Sequence, residues 1–479
     1  MAKTKLDENS IAFATIGELS AALRNREISS VELTKTLGRR LEKLGPAYNA
    51  LAYSLVKQGH KSAKDADFDL KHDRFRSPLQ GIPYAVKDLI AVAKHPTTWG
   101  AKPFADQVFD EDAAVVQRLA SKQAVLIGKL SMVELAGGGG YGSAAASLQG
   151  PGLNPWNKQY WSGGSSSGSG AAVAAGLVPF ALGSETSGSI ITPACFCGVS
   201  GLRPTYGLVS RHGAMALSWT LDKIGVLARS AEDCGLVLHV IAGGDDDDPG
   251  SAQKSFYYAP QYYENLSELK IGYAEIDFAE WPDEPLRPAF ANALAVVKSI
   301  GAPMLESKLP DFPYGPLISC IIRSEAASIF ERFIRSGRVD QLADQHQIDG
   351  LKASLNHSAL DYLKAMRVRT QIQAAFRTWF ANVDLLVAPA RLNLPDRADQ
   401  PFDETPPKRP DQKGVVSELV QAANLCGLPA ISIPCGFVNG FPIGLQIVGR
   451  PFSENRIIAL AREFQRRTDF HKQHPPALT

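Results

Sequence analysis

The chain has 479 residues, of which 45% are hydrophobic and 21% charged, with a formal net charge of +1. That length could hold about three average domains or one large α/β domain, and the apolar content suffices for a large core. A charge this near neutral creates no field for nucleic acid or an anionic membrane, which excludes partners of either kind as an expectation.

Met1 to Glu8 contain no apolar leader segment, and no uncharged stretch is long enough to cross a bilayer, so a soluble cytoplasmic protein is expected. The first clear element is a helix: Ser29 and Glu32 have capping-box spacing, and Leu33, Leu37, Leu41 and Leu44 follow on one face. Strand-length apolar runs then recur at Ala124–Ile127, Leu177–Leu182, Ile271–Ala274, Leu385–Ala388, Ala430–Pro434 and Ile443–Val448, bounded by Gly, Pro or Ser. Ser230 and Asp233 cap a helix running toward Ile241, and Phe290, Leu294 and Val297 share a helical face ahead of Gly301. Strands alternating with helices predict an α/β fold, a large central sheet covered by helices on both faces.

The segment from Phe312 to Phe380 reads as mostly helical. Arg391 to Lys413, with five prolines among charges, reads as a long surface loop of the kind that serves as a lid or binding loop. No composition break forces a boundary, so one domain over 1–479 is expected. Asp245 to Asp248 form an acidic run expected to be an exposed turn. The six cysteines (Cys195, Cys197, Cys234, Cys320, Cys426 and Cys435) lie mostly among apolar or small residues, which suits reduced, buried thiols. Cys195-Phe196-Cys197 has no second ligand cluster, so no metal site is expected.

Three blocks carry chemistry. Lys87 closes the run Gly81-Ile82-Pro83-Tyr84-Ala85-Val86-Lys87-Asp88; a Gly/Ser run from Ser162 to Gly170 opens into an Ala-rich helix; and Gly183-Ser184-Glu185-Thr186-Ser187-Gly188-Ser189 follows an apolar strand. A serine hydroxyl needs a base to become a nucleophile. No Ser-His-acid arrangement is evident around these turns, and only His212 lies near them in sequence. Lysine can serve instead if burial lowers its pKa from about 10.4, and Ile82, Val86, Leu89 and Ile90 give Lys87 apolar surroundings.

Each block also has a plainer reading. Lys87 could pair with Asp88. The Gly/Ser run could be a linker or an anion cradle, although the Gly-Lys-Ser/Thr ending of a P-loop is missing. The turn before Ser189 could be an ordinary polar turn. If it is tight, however, the backbone N–H groups of Thr186, Ser187, Gly188 and Ser189 converge on one point, a geometry suited to an oxyanion.

With Asn154-Pro155-Trp156, Cys197 to Thr205, Asp222-Lys223-Ile224-Gly225, Asn424 to Pro429 and Pro442 to Gly449, these blocks resemble the amidase signature family. The resemblance covers almost the whole chain and is most specific from about 81 to 233. It implies a Ser–cisSer–Lys triad: Ser189 as nucleophile, Ser165 as bridging serine after a cis Gly164–Ser165 peptide, and Lys87 as base. It further implies an oxyanion hole at Thr186, Ser187 and Gly188, with no cofactor and no metal.

The chain also departs from the family pattern. The usual Asp-Thr-Gly-Gly-Ser-Ile-Arg turn reads Glu185-Thr186-Ser187-Gly188-Ser189-Ile190-Ile191, and Ser167 stands where glycine is usual. Gly137, Gly138, Gly139 and Gly140 replace a segment near the substrate, either widening the acyl side of the pocket, letting backbone approach the substrate, or forming a flexible loop. Ala388-Pro389-Ala390-Arg391 replaces a strand ending in Pro-Thr. The first expectation is therefore a stand-alone hydrolase of small-molecule amides, extending to carbamates (urethanes) or esters. Second comes the glutamine-hydrolysing A-subunit of a tRNA-dependent amidotransferase, ranked lower because of Glu185, Ile191 and the altered 388–391 segment. A non-catalytic scaffold ranks third. Substrate selectivity is expected in the region 312–413, where Phe312, Tyr314, Ile321 and Ile322 could line an apolar entrance or pack as core.

Overall fold

Hydrogen bonding at the helix starts follows the sequence closely. In the computed structural model, which describes residues 7–259, 265–402 and 414–476, Ser29 accepts from the Glu32 N–H while the Glu32 carboxylate accepts from the Ser29 N–H, starting helix Ser30–Leu44. Leu33, Leu37 and Leu41 of that helix are fully buried. Ser230 likewise accepts from the Asp233 N–H at the start of helix Ala231–Ile241. Phe290, Leu294 and Val297 are buried on helix Arg287–Ser299.

Thirteen strands are found among the described residues: β1 (Leu51–Ser54), β2 (Pro83–Lys87), β3 (Val125–Leu130), β4 (Leu153–Asn154), β5 (Asn157–Trp161), β6 (Phe180–Glu185), β7 (Ser200–Arg203), β8 (Lys223–Ala228), β9 (Ile271–Tyr273), β10 (Met304–Glu306), β11 (Leu385–Pro389), β12 (Ala430–Val438) and β13 (Phe441–Gly449). Eleven of them form one sheet in the order β1-β3-β2-β6-β8-β7-β12-β13-β11-β9-β10, and β4 pairs with β5 separately. All six apolar runs picked out in the sequence contribute to this sheet. Continuous burial along β2, β3, β6 and β8 explains why those runs do not alternate with polar residues: both sheet faces are covered. The fold is thus the mixed α/β architecture expected. No described helix is long and apolar enough to cross a membrane.

Three strands place the chemistry. β3, β2 and β6 run parallel, with Tyr84 opposite Phe180 and Val86 opposite Leu182, so Lys87 at the end of β2 and the turn after β6 emerge on one edge. In open α/β sheets that carboxyl edge is where ligand sites form. The segment before β6 is helix Ser167–Ala174, buried along its whole length and built of small residues. Its close approach to β6 requires glycine: a Cβ at Gly183 would lie 2.9 Å from Ser166 Oγ.

The segment 312–380 is helical as expected, in helices Tyr314–Arg335, Gln345–Ser354 and Ala359–Trp379. Tyr314 and Ile321 are buried in a packed cluster with Phe376, so they act as core and not as an entrance. Of the proline-rich loop, residues 391–402 are strapped to the body: Trp161 N–H donates to the Asp396 carbonyl, Ala398 N–H to Gln159 and Phe402 N–H to Gly142. Positions 403–413 lie outside the described residues. The acidic run is less exposed than expected, because Asp248 is buried against Arg211 with an N···O distance of 2.6 Å.

Candidate active site

Lys87 is fully buried at the end of β2, and its Nζ lies 2.7 Å from Ser165 Oγ and 3.0 Å from both Ser166 Oγ and Ser184 Oγ. Among the described residues, no carboxylate forms an ion pair with it. The neighbouring Asp88 pairs with Lys129 at 2.9 Å, because successive residues of a strand project to opposite sides. Pairing of Lys87 with Asp88 is thereby excluded. Burial depresses the Lys87 amine to about 7, against the opposing pull of Asp222 and Glu185.

A neutral amine has two N–H donors and one lone pair, so three hydroxyls saturate it only if one of them donates. Ser166 donates its own proton to the Ser184 carbonyl at 3.2 Å and so accepts from the lysine. The lone pair is left for Ser165 or Ser184. Ser165 follows the Gly164–Ser165 peptide, which is cis.

Ser189 sits on the next turn with 9% of its surface exposed, and its carbonyl accepts from the Ser166 N–H at 3.3 Å. Gly188 has φ +90°, a conformation that favours glycine and tightens the turn. Among the described residues, nothing accepts from the N–H groups of Ser187, Gly188 or Ser189. Free backbone donors clustered beside a hydroxyl are the ingredients of an oxyanion pocket.

A buried charge network holds this turn. Glu185 Oε2 accepts from the Ile190 and Ile191 N–H groups at 2.9 and 3.1 Å, while Oε1 accepts from Arg203 at 2.5 Å and from the Asn424 amide at 2.9 Å. Burial alone would raise this carboxyl; Arg203, Lys223 and these hydrogen bonds outweigh it and hold it at about 2. Lys223, directly across the sheet from Glu185, donates to Asn424 Oδ1 at 2.6 Å. Burial, reinforced by Arg203, pushes its amine well below the usual range. Thr186 Oγ1 donates to Asp222 at 2.6 Å, and Asp222 also accepts from the Leu217 and Ser218 N–H groups. Glu185 therefore braces the start of the following helix, and Thr186 is tied from its side chain.

Two cavities flank the turn. One of about 680 Å³ is lined by Gly164, Ser187, Gly188 and Thr192, with the aromatic rings of Tyr141, Trp161 and Phe402 and the charged side chains of Arg391, Asp283 and Asp396. The other, of about 360 Å³, is lined by Ser184, Thr186 and Asp222 together with His212 and Trp219.

The structure brings Lys87 and Ser165 into contact and sets the 186–189 turn beside them, but it does not bring the four glycines to either cavity. Gly138 to Gly140 pack against helix Gln345–Ser354, where a Cβ at Gly139 would lie 2.4 Å from the Gln347 carbonyl and 2.7 Å from Leu351 N, and a Cβ at Gly137 would lie 2.7 Å from the Tyr141 ring. Tyr141, just after them, is the wall residue. Missed in the sequence were Ser166 and Ser184 as partners of Lys87, and Arg391 as part of the cavity. The first two lay inside motifs already singled out; their depth gave no sequence signal. All six cysteines are free. No group of three His, Cys, Asp or Glu side chains among the described residues is placed to hold a metal ion.

Comparison with known proteins bears on the family and the fold. The profile of the Amidase family matches residues 32–458. The chain is 36% identical over 485 residues to the A-subunit of glutamyl-tRNA(Gln) amidotransferase from Legionella pneumophila (strain Paris), across 96% of this chain and 98% of that protein. Among solved structures, the native peptide amidase of Stenotrophomonas maltophilia superposes with a TM-score of 0.79 at 27% identity, over 95% of this chain and 97% of that one. The Thermotoga maritima A-subunit of glutamyl-tRNA(Gln) amidotransferase gives 0.78 at 27%, over 97% of both. Matched along most of its length by the family profile and end to end by relatives above 30% identity, the chain belongs to the amidase family, the amidase-signature enzymes.

Proposed function

We propose that the protein hydrolyses the C–N bond of an amide through an acyl-enzyme, with Ser189 as nucleophile, Ser165 as proton relay and Lys87 as base. The observation that carries this reading is the buried amine of Lys87, lowered to about 7 and 2.7 Å from Ser165. Ser189 Oγ attacks the carbonyl carbon while its proton moves to Ser165 Oγ, whose own proton moves to Lys87 Nζ. The developing oxyanion is met by backbone N–H groups of Thr186, Ser187 and Gly188. Collapse of the tetrahedral intermediate breaks the C–N bond, and the proton returns through Ser165 to the leaving nitrogen. Water then repeats the relay on the ester and releases the acid.

For the substrate, the order expected from sequence is reversed. The relatives named as A-subunits of glutamyl-tRNA(Gln) amidotransferase, related to the chain over nearly its whole length, favour glutamine as the ammonia donor. In that role the chain would work with partner subunits. The altered turn, which with the 388–391 segment placed glutamine second, weighs less because Glu185 points into the scaffold toward Arg203 and Asn424.

One observation favours the second reading, a stand-alone hydrolase of aryl amides or carbamates. Trp161 and Phe402 lie 4.6 Å apart between ring centroids and tilted by 37°, with Tyr141 edge-on to Trp161 at 5.9 Å, giving the larger cavity an aromatic wall. Ammonia release from L-glutamine, compared with turnover of an aryl amide and carbamate panel by the same purified protein, separates the two. Glutamine turnover without aryl turnover is the expected result. Aryl turnover with an inert glutamine would reverse the order again.

A further inference from the structure

Arg391 follows β11, its place fixed by the bond from the Ala390 N–H to the Gly444 carbonyl at 2.8 Å. Its guanidinium lies over the Phe196 ring, 5.7 Å from the centroid, and its Nε is buried with no hydrogen-bond partner. Among the described residues, no carboxylate forms an ion pair with it. A guanidinium partly stripped of water needs acceptors for its N–H groups, and this one lines the same cavity as Gly164, Ser187 and Gly188. The planar fork of arginine matches the two oxygens of a carboxylate, and stacking on an aromatic face preorganises it. Asp283 and Asp396 line the cavity too, so it carries both signs of charge, an arrangement that suits a dipolar ligand better than a simple anion.

We propose that Arg391 receives the carboxylate of the substrate, making the site selective for amides that bear a free carboxylate group. The substrate class rests on the amide-hydrolysis reading above; the recognition itself is tested by binding. Ser189→Ala, which blocks turnover, is titrated with L-glutamine, with succinamate and with butyramide, an uncharged amide of matching length. The same titrations are run on Ser189→Ala combined with Arg391→Met and with Arg391→Lys.

The expected result is that the methionine substitution weakens L-glutamine and succinamate by about 10- to 100-fold and leaves butyramide unchanged. Lysine, which keeps the charge but not the fork, should give a smaller loss. If the methionine variant does not fold, the lysine variant carries the same comparison. Equal binding of succinamate with and without Arg391, or no preference for succinamate over butyramide in the parent, overturns the proposal. Hydrolysis by the unmodified protein is measured separately. Arg391-dependent binding without any hydrolysis would retire the reaction and leave the recognition standing.

Discussion

Replacing Ser189 with alanine is expected to lower kcat/KM by about ten-thousand-fold or more on any amide the protein turns over. The melting temperature should hardly change. The Ser189 hydroxyl makes no hydrogen bond among the described residues, and the turn is braced instead by Glu185, Thr186 and the Ser189 carbonyl. Removing the hydroxyl therefore takes away the nucleophile and little else, placing the substitution among those of small stability effect. The donors of Ser187 and Gly188 stay in place, so a small residual rate above the uncatalysed one is expected. Steady-state kinetics with a thermal melt on the same preparation checks both halves. Near-normal turnover in a folded variant would move the nucleophile elsewhere.

Lys87→Met should be nearly as severe, with a loss of about a thousand-fold or more, and it should also remove a pH dependence. The sign follows from the burial of Lys87, which lowers the amine to about 7. Above that pH the amine is neutral and can accept a proton. Below it, the charged form has no lone pair to offer. In the unmodified protein kcat/KM should fall about tenfold per pH unit below 7 and level off above it. In Lys87→Met that inflection should vanish. The substitution also leaves Ser165, Ser166 and Ser184 without their shared partner, at a cost of about 1–3 kcal/mol for each hydroxyl left unsatisfied. Circular dichroism must accompany the kinetics for this reason. An inflection near 7 that persists in a folded Lys87→Met protein would assign the base to another group.

Much of this was legible in the chain because local rules and the fold agree. The Ser29–Glu32 capping box and the apolar runs of β3, β6, β9, β11, β12 and β13 are set by short-range chemistry, so they read directly. The small residues of the 162–170 and 183–189 segments likewise announced close backbone packing, which Gly183 against Ser166 exemplifies. What stayed hidden depends on which residues meet across the sheet. Nothing near Glu185 in sequence says that it faces Arg203 and Asn424, 18 and 239 positions away. The glycines at 137–140 could be read as an open wall or a flexible loop; the crowding of Gly138 to Gly140 against helix Gln345–Ser354 depends on a segment over two hundred residues later. Arg391 was noticed as a departure from the family pattern, but its place in the cavity comes from the bond of Ala390 to Gly444 on β13, a partner far along the chain.

The reaction path turns on a covalent bond to one hydroxyl, and trapping that bond is the sharpest test. The protein is quenched with acid during turnover of L-glutamine, digested, and its peptides are mapped by mass spectrometry. The expected result is a γ-glutamyl group on the peptide containing Ser189, absent from Ser189→Ala and reduced in Lys87→Met. A γ-glutamyl group on Ser165 or another side chain, or one that survives in Ser189→Ala, would contradict it.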